Sequence, residues 1–169
     1  ERVILAFSSS TYGDSTKLPK VEGEEGKPLS PYAVSKMAIE HYARVFHTTY
    51  GLNYIGLRYF NIFGPKQNPD NPYAAVIPIF CKAFIEGKRP TINGDGTYSR
   101  DFTYIANAVQ ANEKALFTDN EEALNEVYNC ACGDQVTLNQ MVKYLQEISS
   151  KSLEPIYGEL RAGDVAHSR

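Results

Sequence analysis

The 169-residue sequence has no surplus of positive charge: 17 Lys and Arg stand against 20 Asp and Glu, for a formal net charge of -3. The cations are also scattered, which excludes the basic surface that nucleic acid or an anionic membrane would need. Small anions need only a few local cations and stay in play. Cysteine is equally sparse. Cys81, Cys130 and Cys132 make an odd count in a chain too large to need covalent staples, and Cys-x-Cys alone lacks the ligand pairs of a zinc site. A reducing, cytoplasmic setting is expected. The histidines His41, His47 and His167 show no metal-ligand spacing, so no metal is assigned. The apolar run at the amino end, "VILAF", is too short for a signal segment or a membrane span. Internal repeats and low-complexity tracts are lacking as well.

What is present suits one globular domain, with 43% hydrophobic and 22% charged residues. "RVILAFSSS" is a continuous apolar run ending in small hydroxyls, which predicts a strand buried on both faces of a parallel sheet with its carboxyl end open to a ligand. Residues 13–29 read as loop. Ser30 is a good helix N-cap and Pro31 a good first helical residue. The pattern Val34, Ala38, His41/Tyr42, Val45 then predicts a helix stopped at Gly51, with that stripe as its apolar face. "NYIGLRYFNIFG" reads as another buried strand and "AAVIPIFCKAFIEG" as a helix ended by Gly87. "RPTINGDGTYSRDFTYI" reads as short strands around an Asn-Gly turn. From "IANAVQANEKALF" onward, helix and strand alternate through "EVYNCA", "LNQMVKYLQEIS" and "EPIYG". Such alternation predicts an α/β fold with a largely parallel sheet.

Tyr32 and Lys36 in "SPYAVSK" lie one helical turn apart and share a face, roughly opposite the Val34 stripe. One reading is a solvated face on which Lys36 pairs with Glu40. The other is chemical: a phenol with a pKa of about 10 becomes a usable base near neutrality only when a cation stabilises the phenolate. A base also needs a substrate alcohol held against it, and Ser8, Ser9 and Ser10 at the end of the first strand are suited to that.

The stretches "SSSTYGD", "GKPLSPYAVSK", "GLRYFNIFGPKQNPD", "YAAVIP", "INGDGTYSRDF" and "LRAGDVAHS" stand in order from residue 8 to 168. In these the chain resembles the extended short-chain dehydrogenase/reductase superfamily, most closely its nucleotide-sugar 4-epimerases of the UDP-N-acetylglucosamine type. The resemblance implies the carboxyl-terminal part of a Rossmann-type doubly wound sheet plus a smaller α/β substrate domain. It implies NAD as cofactor, a UDP-sugar as substrate and a homodimer built through helices that include 31–50. It assigns a catalytic triad of Ser8, Tyr32 and Lys36, in which Tyr32 takes the proton of the sugar 4-hydroxyl and Lys36 also holds the nicotinamide ribose. Tyr59 then lies near the cofactor, with Ser9 and Ser10 at the sugar and Asn61 beside the diphosphate. Arg100 and Arg161 clamp the diphosphate, as the guanidinium fork is able to do. Ala75, Val76 and Asn93 contact uridine, Asp164 its ribose, and Ser168 faces the sugar near C2. Asn61 and Asn93-Gly94 equally suit turns.

The glycine-rich phosphate turn of the superfamily does not occur in the sequence. The expectation is therefore a fragment, residues 1–169, with about 130 residues of the dinucleotide-binding half upstream and a carboxyl tail beyond. A nucleotide-sugar dehydratase or decarboxylase is the second enzyme reading. Ser9 and Ser10 stand where dehydratases typically carry an Asp-Glu pair, which disfavours elimination. A non-catalytic dinucleotide-sensing relative is the third, disfavoured because such relatives often lose the tyrosine or lysine that this chain keeps.

Overall fold

A computed structural model describes residues 1–70, 75–160 and 167–168. Its central layer is a parallel sheet in the order β1-β2-β7, formed by β1 (Val3–Ser8), β2 (Tyr54–Tyr59) and β7 (Glu126–Cys130). The strands are in register from Val3 opposite Tyr54 to Ser8 opposite Tyr59, which lies in turn opposite Cys130. Ser8 and Tyr59 thus stand side by side at the carboxyl edge, where ligands of open α/β sheets bind.

The pleat sorts the side chains between two helices. On one face Leu5, Phe7, Tyr54 and Val127 pack with Ala43 of α1 (Pro31–Tyr50). On the other, Ile4, Ile55, Leu57 and Tyr59 pack with Ala111 and Ala115 of α3 (Ile105–Phe117). A helix on each face of a parallel sheet is the doubly wound, Rossmann-type arrangement expected. Ser30 caps α1 by accepting from the Ala33 amide at 3.1 Å, and Gly51 ends it at φ 70.

A smaller layer follows. The helices α2 (Val76–Ile85) and α4 (Leu138–Ser149) pack around Phe80, Phe84, Ile92, Met141 and Val142. Beside them lie the parallel pair β4 (Thr91–Asn93) with β9 (Ile156–Gly158), and β5 (Ser99–Arg100) between β8 (Val136–Thr137) and β10 (His167–Ser168). A further pair, β3 (Asn61–Phe63) with β6 (Phe102–Tyr104), joins the two layers. Asp101, fully buried, accepts from the amides of Cys132 and Gly133 at 3.0 and 2.6 Å, tying this junction to the end of β7.

Four expectations are corrected. The Val34, Tyr42, Val45 stripe of α1 faces away from the sheet, with Val34 53% and Tyr42 66% exposed; Ala33 and Ala43 are the buried residues. The helix meets the sheet through small residues because the large ones of β1 and β2 fill the layer. "NYIGLRYFNIFG" is two strands, since the chain passes at Phe60 from the central sheet to the β3–β6 pair. Asn93-Gly94 does not close a hairpin: β4 pairs with β9 and β5 with β8 and β10. β1 is also less enclosed than predicted, with Val3 exposed, whereas β2 is buried from Tyr54 to Arg58.

Gly56 lies in β2 under the Phe7 ring, and a Cβ there would fall 2.1 Å from a ring carbon. Gly56→Ala is expected to destabilise the fold by about 1–3 kcal/mol through overpacking. Urea denaturation checks this; an unchanged midpoint would mean that the Phe7 ring has room to retreat.

Candidate active site

The carboxyl end of β1 runs directly into a 3-10 turn, Ser9–Tyr12. Ser8 caps it, its hydroxyl accepting from the Ser10 amide at 3.2 Å. The Ser10 hydroxyl is buried and has no hydrogen-bond partner among the described residues. Ser8, Ser9, Ser10, Tyr32, Tyr59, Asn61 and Arg100 all line one cavity of about 310 Å³.

Tyr32 sits in the first turn of α1 and is 57% exposed. Lys36, one turn on, places its ammonium 5.7 Å from the centre of the Tyr32 ring. That ammonium donates to the Ala6 carbonyl of β1 at 2.9 Å rather than pairing with Glu40. The expected pairing of Lys36 with Glu40 therefore does not form, because Glu40 is engaged by Arg58, while Tyr32 itself stays exposed.

Asn61 donates to the Asp101 carbonyl at 3.1 Å. Asn61 and Arg100 also line a second cavity of about 250 Å³, shared with Ala75, Val76 and Asn93 and floored by Phe80 and Ile92. The two cavities meet at Asn61 and Arg100. Tyr59, expected near the cofactor, is held by α3, where the Asn112 amide donates to its hydroxyl at 2.7 Å. Burial pushes that phenol above the ordinary tyrosine pKa. The Ser168 backbone pairs with Arg100 in the β10–β5 register, next to the junction of the cavities. Arg161 and Asp164 lie outside the described residues.

Sequence reasoning missed three residues of this region. Arg58 of β2 is 3% exposed and points to the α1 side, where it bonds Glu40 at 2.6 and 2.9 Å, Glu25 of the 13–29 loop at 2.5 Å and the Tyr12 hydroxyl at 3.2 Å. Tyr12, buried, donates in turn to Asn129 at 2.7 Å. Desolvation holds the Tyr12 phenol above the usual tyrosine range despite the guanidinium beside it. Lys20 is also buried and lines the cavity of Tyr32. A lone arginine in a strand and a lysine in a polar loop carry no periodic signal that would have marked them.

The sequence profile described as the NAD dependent epimerase/dehydratase family matches residues 1–131. The chain belongs to that family. Among solved structures, a UDP-N-acetylglucosamine 4-epimerase from Methanobrevibacter ruminantium M1, in complex with UDP-N-acetylmuramic acid, is 41% identical with a TM-score of 0.92; the match covers 99% of this chain and 53% of that one. A UDP-glucose 4-epimerase from Thermotoga maritima with UDP-glucose is 38% identical at a TM-score of 0.90, over 98% and 52% of the two chains. A UDP-glucuronic acid 4-epimerase from Bacillus cereus, in complex with UDP-glucuronic acid and NAD, is 32% identical at a TM-score of 0.92, over 99% and 52%. The chain spans about half the length of the curated relatives it matches.

Arg58 makes the region sensitive to acid. Desolvation alone would raise the Glu25 pKa, but the Gly23 amide and Arg58 outweigh it and hold the carboxyl below its ordinary value. A depressed carboxyl stabilises the fold above its unfolded pKa, and that contribution is lost as the pH falls below about 4. Arg58→Met is expected to cost about 3 kcal/mol at pH 7, the low end for breaking a buried pair because Glu25 keeps partial solvent access. Its stability should also fall less between pH 6 and pH 3 than that of the unchanged protein. Parallel acid curves for the two proteins would show that Arg58 does not govern Glu25.

Proposed function

We propose that the complete protein carrying this chain is an NAD-dependent UDP-hexose 4-epimerase, acting on UDP-N-acetylglucosamine and UDP-N-acetylgalactosamine or on their uronic acid forms through a transient 4-keto sugar. The observation that carries this reading is the meeting of the two cavities at Asn61 and Arg100. One holds Ser8 and Tyr32 and suits a sugar; the other, apolar-floored and containing Asn93 and the Ala75–Val76 backbone, suits a uracil and its ribose. The diphosphate lies between them, against a guanidinium able to bind it in bidentate fashion. Relatives named for UDP-sugars support a UDP-sugar as the ligand.

The residues present fit the nicotinamide end of NAD. Lys36 has ammonium donors beyond the one given to Ala6, beside Tyr32 and near the carboxyl end of the sheet. The glycine-rich turn that cradles the pyrophosphate is not among these 169 residues, which are proposed as the second half of the cofactor fold with most of the substrate domain. Bound NAD supplies the oxidant for C4 and the means of reducing it again.

The protein's own part is to orient and move a proton. Ser8 hydrogen-bonds the sugar 4-hydroxyl, Tyr32 as phenolate accepts its proton, and the Lys36 cation one turn away stabilises the phenolate. With the diphosphate fixed at Arg100 and Asn61, the keto sugar turns about its linkage to present the opposite face of C4. Tyr32 then returns the proton, completing the inversion. The outward Val34, Tyr42, Val45 and Phe46 of α1 are proposed to be covered in a homodimer.

In the complete enzyme, Tyr32→Phe is expected to keep UDP-sugar binding while lowering turnover by roughly 10²- to 10⁴-fold, the usual range for losing a general base. Steady-state kinetics beside calorimetry test this, and near-normal turnover would remove Tyr32 from the chemistry. Lys36→Ala should additionally weaken NAD binding. Ser168→Tyr should lower the rate on N-acetylated relative to non-acetylated UDP-hexoses by filling the space near C2; an unchanged ratio would show that Ser168 is not the gate.

A further inference from the structure

The cavity that holds Ser8 and Tyr32 contains a second cation besides Arg100. Lys20, in the 13–29 loop, lines it and is only 8% exposed. Its backbone carbonyl accepts from Asn129 at 3.0 Å, which anchors the residue to the end of the sheet. Its ammonium donates to a neutral group, the Ser15 carbonyl. Among the described residues no carboxylate pairs with it. The nearest acids in sequence are engaged: Glu22 accepts from the Asn129 amide at 2.6 Å, Glu24 pairs with Lys17 at 3.1 Å and Glu25 bonds Arg58.

A buried ammonium without an anion is expensive, and desolvation accordingly pushes Lys20 below the ordinary lysine pKa. No Asp or Glu lines either cavity among the described residues, so the groove offers nothing to neutralise it. Ser10, whose buried hydroxyl has no hydrogen-bond partner among the described residues, lines the same cavity. The two cations are also differently placed. Arg100 stands where the cavities meet and serves the diphosphate, whereas Lys20 lines only the cavity of Tyr32. A neutral sugar would satisfy the first and leave the second unpaired.

We propose, resting on the epimerase reading, that Lys20 is a specificity-determining residue which selects hexoses bearing a carboxylate. The carboxylate can stand at C5, as in a uronic acid, or on a lactyl ether at C3; the chemistry offered to Lys20 is the same. This narrows the substrate assignment from neutral or uronic UDP-hexoses to those that bear a carboxylate.

The test uses the complete enzyme loaded with NAD. Binding by calorimetry and turnover are compared for UDP-N-acetylglucosamine, UDP-N-acetylglucosaminuronate and UDP-N-acetylmuramate. At least one carboxylated sugar is expected to bind at least about tenfold more tightly than the neutral one, the scale of a charge-assisted bond made in a buried site. Which one binds locates the carboxylate. In Lys20→Met the ratio of charged to neutral affinity should collapse toward unity, and Lys20→Arg, which keeps the charge and guards against a folding defect in the first variant, should retain a preference. If the neutral sugar is bound and epimerised as well as its charged counterparts, or if Lys20→Met leaves the ratio unchanged, the Lys20 assignment falls while the epimerase reading stands. If none of the UDP-sugars is bound or turned over, both fall.

Discussion

Arg58 ties three separate segments of the chain to the central sheet. It leaves the central strand on the α1 side and reaches Glu40 of that helix, Glu25 of the long loop and the hydroxyl of Tyr12, which ends the 3-10 turn after the first strand. A guanidinium buried this deeply is tolerated only when its donors are met by charged or polar acceptors in good geometry, so each of those segments has a narrow range of positions. Burial alone would lower its pKa, but the bonds to Glu40, Tyr12 and Glu25 hold it above the ordinary arginine value, and it stays charged throughout. The rotation of α1, on which Tyr32 and Lys36 depend, and the seat of the loop that carries Lys20 are thereby set from one point beneath the site.

Above that point the parallel sheet does what such sheets do. Its carboxyl edge presents Ser8 and Tyr59 side by side, and the chain leaves it at once for the smaller layer. Asp101 holds the junction by accepting two backbone amides beyond β7. Asn61 and Arg100 lie on the two strands flanking that junction, which is why they alone line both cavities among the described residues. Among the described residues the resulting groove contains cations, hydroxyls and amides but no carboxylate, a composition that favours an anionic ligand with separate charged and neutral portions.

Local signals read well where the cause was local. The helices α3 and α4 coincide with their expected stretches, since capping residues and a 3.6-residue period are properties of a short window. Thr137 and Gln140 even complete a reciprocal cap at the start of α4. The stripe on α1 misled because amphipathicity reports that an apolar face is covered, not by what. In this chain the sheet takes the face with Ala33 and Ala43, and the larger Val34, Tyr42 and Val45 point outward. The Asn-Gly turn misled for a related reason: turn residues permit a reversal, but pairing partners decide whether it becomes a hairpin, and β4 finds β9 some sixty residues on.

Sequence by itself determined the α/β class, the helix boundaries and the family, because these rest on periodicity, caps and six ordered motifs that do not depend on distant contacts. It also determined that Tyr32 and Lys36 share a helical face, a consequence of helix geometry alone. Only the tertiary structure decided which acceptor holds the Lys36 ammonium, which carboxylates surround Arg58 and that Lys20 lines the cavity of the serines, buried and with no carboxylate partner among the described residues. A charge's partners are fixed by through-space approach and desolvation, and neither is written in the spacing of residues along the chain.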